Sequence, residues 1–153
     1  MPEQSTPSTN SQHDAVTVLL VEDDPSTLRF YSEALRMSGF NVLVASTGSD
    51  ALAKARARMP DAVVADLGLP DFDGFEVCRQ LKLQPGGEHL AAIALTGRSM
   101  ALRDIDFAER AGFASVLLKP STPEAIAAAI ASARRRQSDG SGTHISTAQR
   151  SLS

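Results

Sequence analysis

One cysteine, no long apolar run and no excess of positive charge narrow the meaning of this 153-residue sequence before any motif is read. The lone Cys78 excludes an internal disulfide and fits a reducing compartment, and its expected role is as a small filler of the core. No stretch approaches the roughly 20 apolar residues that a bilayer crossing requires. The N-terminal Met1-Pro2-Glu3-Gln4-Ser5-Thr6-Pro7-Ser8 has neither the basic start nor the apolar centre of a secretion signal. These absences predict a soluble, cytoplasmic protein with no membrane partner. A formal net charge of −3 gives no electrostatic footprint for nucleic acid, so none is expected as a partner. The single basic run, Arg134-Arg135-Arg136, is expected at a helix end, where cations complement the dipole. A phosphate- or partner-binding patch is its other use.

What is present suffices for one core. With 42% hydrophobic residues, the chain can bury one domain well and two poorly. Residues 1–14 and 137–153 are rich in Ser, Thr, Gln, Gly and Pro and carry too few large apolar groups to offset their ordering entropy. Both are expected to be flexible tails flanking a domain over 15–136. Inside it five short apolar runs recur, at 17–21, 41–45, 62–65, 91–95 and 115–118. Between them lie apolar residues at helical spacing: Leu28, Tyr31 and Leu35; Leu52 and Ala55; Phe75, Cys78 and Leu81; Leu102, Ile105 and Ala108. A fifth helical segment, Ala125 to Arg136, follows the last run. Strand then helix, five times, implies parallel βα units. Asp24-Pro25 and Thr122-Pro123 supply helix starts, and Gly39 and Gly112 fall where helices should stop. The expected fold is a flavodoxin-like, doubly wound α/β sheet of five parallel strands in the order 2-1-3-4-5 with five helices.

Such sheets bind ligands beyond the carboxyl ends of their strands. Glu22-Asp23-Asp24 follows the first run, Asp66 ends the third, Thr96-Gly97 follows the fourth, and Lys119-Pro120 the fifth. The exit of the second, Ser46-Thr47-Gly48, offers nothing comparable, and in the 2-1-3-4-5 order it is the peripheral one. Two carboxylates about 4 Å apart repel by roughly 4 kcal/mol at an effective dielectric near 20, so three in one pocket require a cation. An all-oxygen site of carboxylates, a backbone carbonyl, waters and a phosphate oxygen suits Mg²⁺. No His or Cys is placed for zinc. Lys119 adds a permanent positive charge and Thr96 a hydroxyl donor, both suited to phosphoryl oxygens. In such a site Asp66 would attack phosphorus in line and become an aspartyl phosphate. Singly, each residue has a plainer use, and Asp24 is expected to be only a helix cap.

Val21-Glu22-Asp23-Asp24-Pro25, Asp66 with Leu69-Pro70-Asp71-Phe72-Asp73-Gly74, Ala94-Leu95-Thr96-Gly97 and Leu118-Lys119-Pro120 together resemble the receiver domain of two-component response regulators, of the stand-alone chemotaxis-regulator kind. The resemblance implies that Asp66 is the phosphoacceptor, Asp23 the direct Mg²⁺ carboxylate, Glu22 a metal-side acid acting through water, and Gly68 the donor of a carbonyl to the metal. It implies that Thr96 and Lys119 contact the phosphoryl group and that the Lys119-Pro120 peptide is cis. The implied partners are a histidine kinase or histidine phosphotransfer protein as donor, and a downstream protein. No DNA-binding or catalytic domain is expected after Arg136, so the output is expected through the receiver's own surface, as a signal, a relay shuttle or a phosphate sink. Such a chain is no enzyme in the ordinary sense, since it catalyses only its own phosphorylation and dephosphorylation.

Three positions depart from, or tune, the pattern. Val116 stands where many receivers carry the Tyr or Phe of the switch, so the conformational shift is expected to be smaller. Gly68 and Arg98 lie two residues beyond Asp66 and Thr96, where the family tunes phosphoryl lifetime. Phe107 lies off the Leu102, Ile105 and Ala108 stripe, as part of a partner surface or in packing against a neighbour. Two other functions remain: a phosphohydrolase of the haloacid dehalogenase type, whose Asp-x-Asp motif Asp71-Phe72-Asp73 superficially mimics, and a degenerate receiver serving only as an interaction module.

Overall fold

The computed structural model describes residues 15–69, 71, 73–97, 102–139 and 146–147, with backbone alone for 102–104, 137–139 and 146–147. Five strands, β1 (Thr17–Val21), β2 (Asn41–Ala45), β3 (Ala62–Asp66), β4 (Ala91–Thr96) and β5 (Ser115–Leu118), form a parallel sheet in the order β2-β1-β3-β4-β5. Five helices connect and flank them: α1 (Pro25–Met37), α2 (Gly48–Ala57), α3 (Gly74–Leu83), α4 (Leu102–Ala111) and α5 (Pro123–Asp139). A short 3-10 turn, Gly87–His89, precedes β4.

Alternation along the strands sorts side chains into two layers. Leu19, Val21, Val63, Ala65, Ala92, Ala94 and Val116 face α2, α3 and α4, where they meet Leu52, Val77, Leu81 and Phe113. Val18, Leu20, Val64, Ile93, Leu95 and Leu117 face α1 and α5, meeting Tyr31, Leu35, Ile126 and Ile130. Every residue of β1 and β4 is buried, as expected for central strands covered on both faces. Cys78 is fully buried and bonded to no other cysteine. Each large side chain enclosed this way contributes about 1.5–3 kcal/mol of transfer free energy.

The helix boundaries follow their side chains. Asp24 accepts a hydrogen bond from the Thr27 N–H at 2.9 Å, with Pro25 in the first turn of α1. Thr47 accepts from the Asp50 N–H at 3.0 Å, Asp73 from the Glu76 N–H at 2.9 Å, and Thr122 from the Ala125 N–H at 3.0 Å. Gly39 and Gly112, at φ 102° and 108°, take the left-handed conformation beyond α1 and α4.

The C-terminal boundary differs from expectation. Helix α5 continues to Asp139, three residues past Arg136, and Ser146–Thr147 pairs in parallel with Ser115 and Val116 as a short sixth strand, β6. Edge strand β5 offers unpaired backbone groups, which a polar segment can satisfy without any apolar signal. Arg136 lies within the helix and donates to the Ala114 carbonyl at 3.2 Å and to the Ser132 hydroxyl at 2.9 Å. The remainder of the two expected tails lies outside the described residues. Among the described residues no helix is long and apolar enough to cross a membrane.

Candidate functional site

Parallel register brings the acids together. Val21 pairs with Ala65, so the next residues, Glu22 and Asp66, leave the sheet side by side. Glu22, Asp23 and Asp66 offer carboxylate oxygens that all lie within 4.8 Å of one another. From the exit of β5, on the far side of β4, the Lys119 ammonium reaches Glu22 Oε1 at 2.6 Å and Asp66 Oδ1 at 3.8 Å. Asp66 pairs with Leu95, and Thr96 with Leu118, so both site residues are the last members of their strands rather than loop residues. The Lys119 N–H donates to the Thr96 carbonyl at 2.7 Å. The Lys119-Pro120 peptide is cis.

Glu22 is the covered member, its side chain 3% exposed, while Asp23 is exposed and Asp66 lies between. Burial pushes the Glu22 carboxyl above its ordinary value, against hydrogen bonds from Lys119 and from the Asp24 N–H at 3.0 Å. Burial alone would lower Lys119, but the hydrogen bond to Glu22 and the charges of Asp66 and Glu22 together hold its ammonium above the usual lysine value. One ammonium among three carboxylates leaves net negative charge, and the donors are all hard oxygens. The site therefore fits Mg²⁺ far better than a metal that prefers nitrogen or sulfur.

The segment after Asp66 is folded tightly. The Gly74 N–H donates to the Leu67 carbonyl at 2.8 Å, and Gly68 bridges Asp73 in antiparallel fashion. A Cβ on Gly74 would sit 2.4 Å from the Asp66 carbonyl oxygen, so α3 can start this close to the acidic strand end only with glycine there. Gly68 is exposed, and among the described residues a Cβ built on it meets nothing within 4 Å.

Two participants were not visible in the motifs. Asp71 accepts from the N–H groups of Gly48 at 2.8 Å and Ser49 at 2.9 Å, tying the segment after Asp66 to the first turn of α2. The exit of β2, which looked barren, is thus an anchor. With Asp71 and Asp73 both occupied by helix N–H groups, neither is placed as the acid of an Asp-x-Asp pair. The second is Tyr31, whose hydroxyl bonds Ser121 beyond Lys119. No local pattern signals either contact; only an acid or phenol of unexplained purpose could prompt the search.

Val116 is fully buried in the layer that also holds Ala94 and Ala108. Phe107 is 45% exposed, packs edge-on to Phe75 at 6.3 Å and lies under the Arg110 guanidinium at 5.7 Å, so it is both packed and presented. Arg98, Pro70 and Phe72 lie outside the described residues.

The family model described as the response regulator receiver domain matches residues 18–131. The chain is 37% identical over 121 residues to the transcriptional regulatory protein CreB of Escherichia coli, covering 78% of this chain and 51% of that protein. It is 37% identical over 106 residues to an uncharacterized 14.6 kDa protein of Leptolyngbya boryana, covering 69% of this chain and 80% of that one. The chain spans about half the length of several curated regulators it matches. Among solved structures, a CheY-like response regulator receiver domain protein from Methanospirillum hungatei superposes with a TM-score of 0.73 at 27% identity, covering 83% of this chain and 99% of that one.

Proposed function

Because the chain belongs to the response regulator receiver domain family, we propose that it accepts a phosphoryl group on Asp66 from a phosphohistidine of a histidine kinase or histidine phosphotransfer protein. An Asp66 carboxylate oxygen bonds to phosphorus as the bond from phosphorus to the donor imidazole breaks, leaving an aspartyl phosphate and a free histidine. The observation that carries this reading is the placement of Asp66, partly open to solvent, between two further carboxylates and 3.8 Å from the Lys119 ammonium.

Glu22, Asp23, Asp66 and the Gly68 carbonyl would hold Mg²⁺, which when bound neutralises charge on the phosphoryl oxygens. Lys119 supplies the second positive charge, and Thr96 a hydroxyl beside the same strand end. The receiver unit spans 15–136, works in the cytoplasm, and reports its state to a downstream protein through its own surface. A complete shift of a two-state equilibrium from 1:99 to 99:1 requires about 5.5 kcal/mol. Val116 offers no ring that could swing between inner and outer positions, which favours a smaller shift here.

The test is intact-protein mass spectrometry after incubation with Mg²⁺ and a small acyl phosphate, or with a phosphorylated histidine phosphotransfer domain. One phosphoryl group per chain is expected on the wild type, lost with chelator and absent from Asp66→Asn. Labelling that survives the substitution would refute the assignment, and steady release of phosphate from a phosphomonoester would favour the hydrolase instead.

A further inference from the structure

Tyr31 carries a hydroxyl where packing asks for none. Its ring is 4% exposed in the layer between the sheet and α1 and α5, a place that phenylalanine would fill equally well. Yet the hydroxyl donates to the Ser121 carbonyl at 3.1 Å and accepts from the Ser121 N–H at 3.2 Å, ninety positions away in sequence. Both backbone groups of a residue two beyond Lys119 are thereby held by one side chain.

Among the described residues the loop is also restrained by the Lys119 N–H on the Thr96 carbonyl and by the Ser121 hydroxyl on the Leu118 carbonyl at 2.7 Å. Both bind it to β4 or to itself. Tyr31 instead binds it to α1, whose own start is fixed to the acidic exit: Asp24 caps the helix and its N–H donates to Glu22 Oε2. One rigid helix therefore spans from the carboxylates to the lysine loop.

We propose that Tyr31 is a positioning residue for phosphoryl acceptance, its hydroxyl fixing the loop so that the Lys119 ammonium, bonded to Glu22 at 2.6 Å, is also kept within 3.8 Å of Asp66. The proposal rests on Asp66 being the phosphoacceptor. Lysine is a point charge on a flexible stem, so the placement of its ammonium depends on how firmly its backbone is held. Glu22 is the closer partner of the ammonium, so the longer approach to Asp66 is the contact that a looser loop loses first. A misplacement of about 1 Å can cost up to about a hundredfold in rate.

The experiment measures the initial rate of Asp66 phosphorylation by a small acyl phosphate in wild type, Tyr31→Phe, Lys119→Met and the double variant, with Mg²⁺ affinity and thermal midpoint recorded for each. Tyr31→Phe is expected to slow phosphorylation about fivefold or more while changing the Mg²⁺ dissociation constant less than about twofold. In the Lys119→Met background the same substitution is expected to have no further effect, because the two act through one ammonium. A wild-type rate in Tyr31→Phe overturns the proposal, as does an equal slowing with and without Lys119, which would mark a merely structural contribution. If the phosphoacceptor assignment itself fails, Asp66→Asn labels like wild type, an outcome separate from either of these.

Discussion

Neutralising the proposed nucleophile should make this protein more stable. Asp66 shares its pocket with Glu22 and Asp23, whose carboxylate oxygens lie within 4.8 Å. At that separation each pair of unit charges repels by about 3.5 kcal/mol at an effective dielectric near 20. Against those two repulsions stands one attraction, to Lys119 at 3.8 Å, of about 4.4 kcal/mol on the same scale. Repulsion wins. Solvent around the exposed Asp23 screens part of the excess, leaving an expected gain of about 1–2 kcal/mol for Asp66→Asn in the presence of chelator. The amide keeps the volume and shape of the carboxylate, so packing is not the variable. The assay is urea denaturation followed by far-ultraviolet circular dichroism, first with chelator and then with Mg²⁺. Mg²⁺ at ten times its dissociation constant adds about 1.4 kcal/mol to whichever protein binds it, so the wild type should close most of the gap. An Asn variant less stable than wild type in chelator, or an equal Mg²⁺ gain in both proteins, would refute the electrostatic account.

Two further outcomes follow from the geometry. Burial holds the Glu22 carboxyl above its ordinary 4.5, so as pH rises past that value the unfolded chain releases its proton first and the native state loses stability up through its own higher pKa. Glu22→Gln removes this descent, and the stability difference between variant and wild type should move in the variant's favour as pH increases through that window; a pH-independent difference by denaturation would contradict it. Asp71→Ala strips a charged acceptor from the N–H groups of Gly48 and Ser49 and is expected to cost about 1–2 kcal/mol, read from the urea midpoint. A loss below about 0.3 kcal/mol would show that solvent replaces the carboxylate without penalty.

The βα order was legible because each of the five parallel strands is a short apolar run and four of the five helices, α1, α2, α3 and α5, have a described side-chain cap at their start. Asp24 and Thr122 announce their helices within three residues, and Asp66 announces itself by ending a run of buried residues with a charge. The acidic exits could be grouped because strand order places them, and register then fixes their separation. What stayed hidden depends on backbone groups distant in sequence. Asp71 finds α2 from 22 to 23 positions away, and Tyr31 finds Ser121 across ninety. Neither partner is a side chain with a pattern to detect. The pairing of Ser146–Thr147 with β5 was invisible for the same reason, since a polar dipeptide that satisfies an edge has no periodicity.

The protein contains no tryptophan, and Tyr31 is its single tyrosine. Excited at wavelengths beyond phenylalanine absorption, its emission therefore arises from one ring, and that ring's hydroxyl is bonded to the loop carrying Lys119. A phenol's fluorescence depends on what its O–H meets. The unlabelled chain thus carries its own optical reporter at the rim of the sheet, where a displacement of the lysine loop is expected to register as a change in emission, with no dye attached and no residue changed.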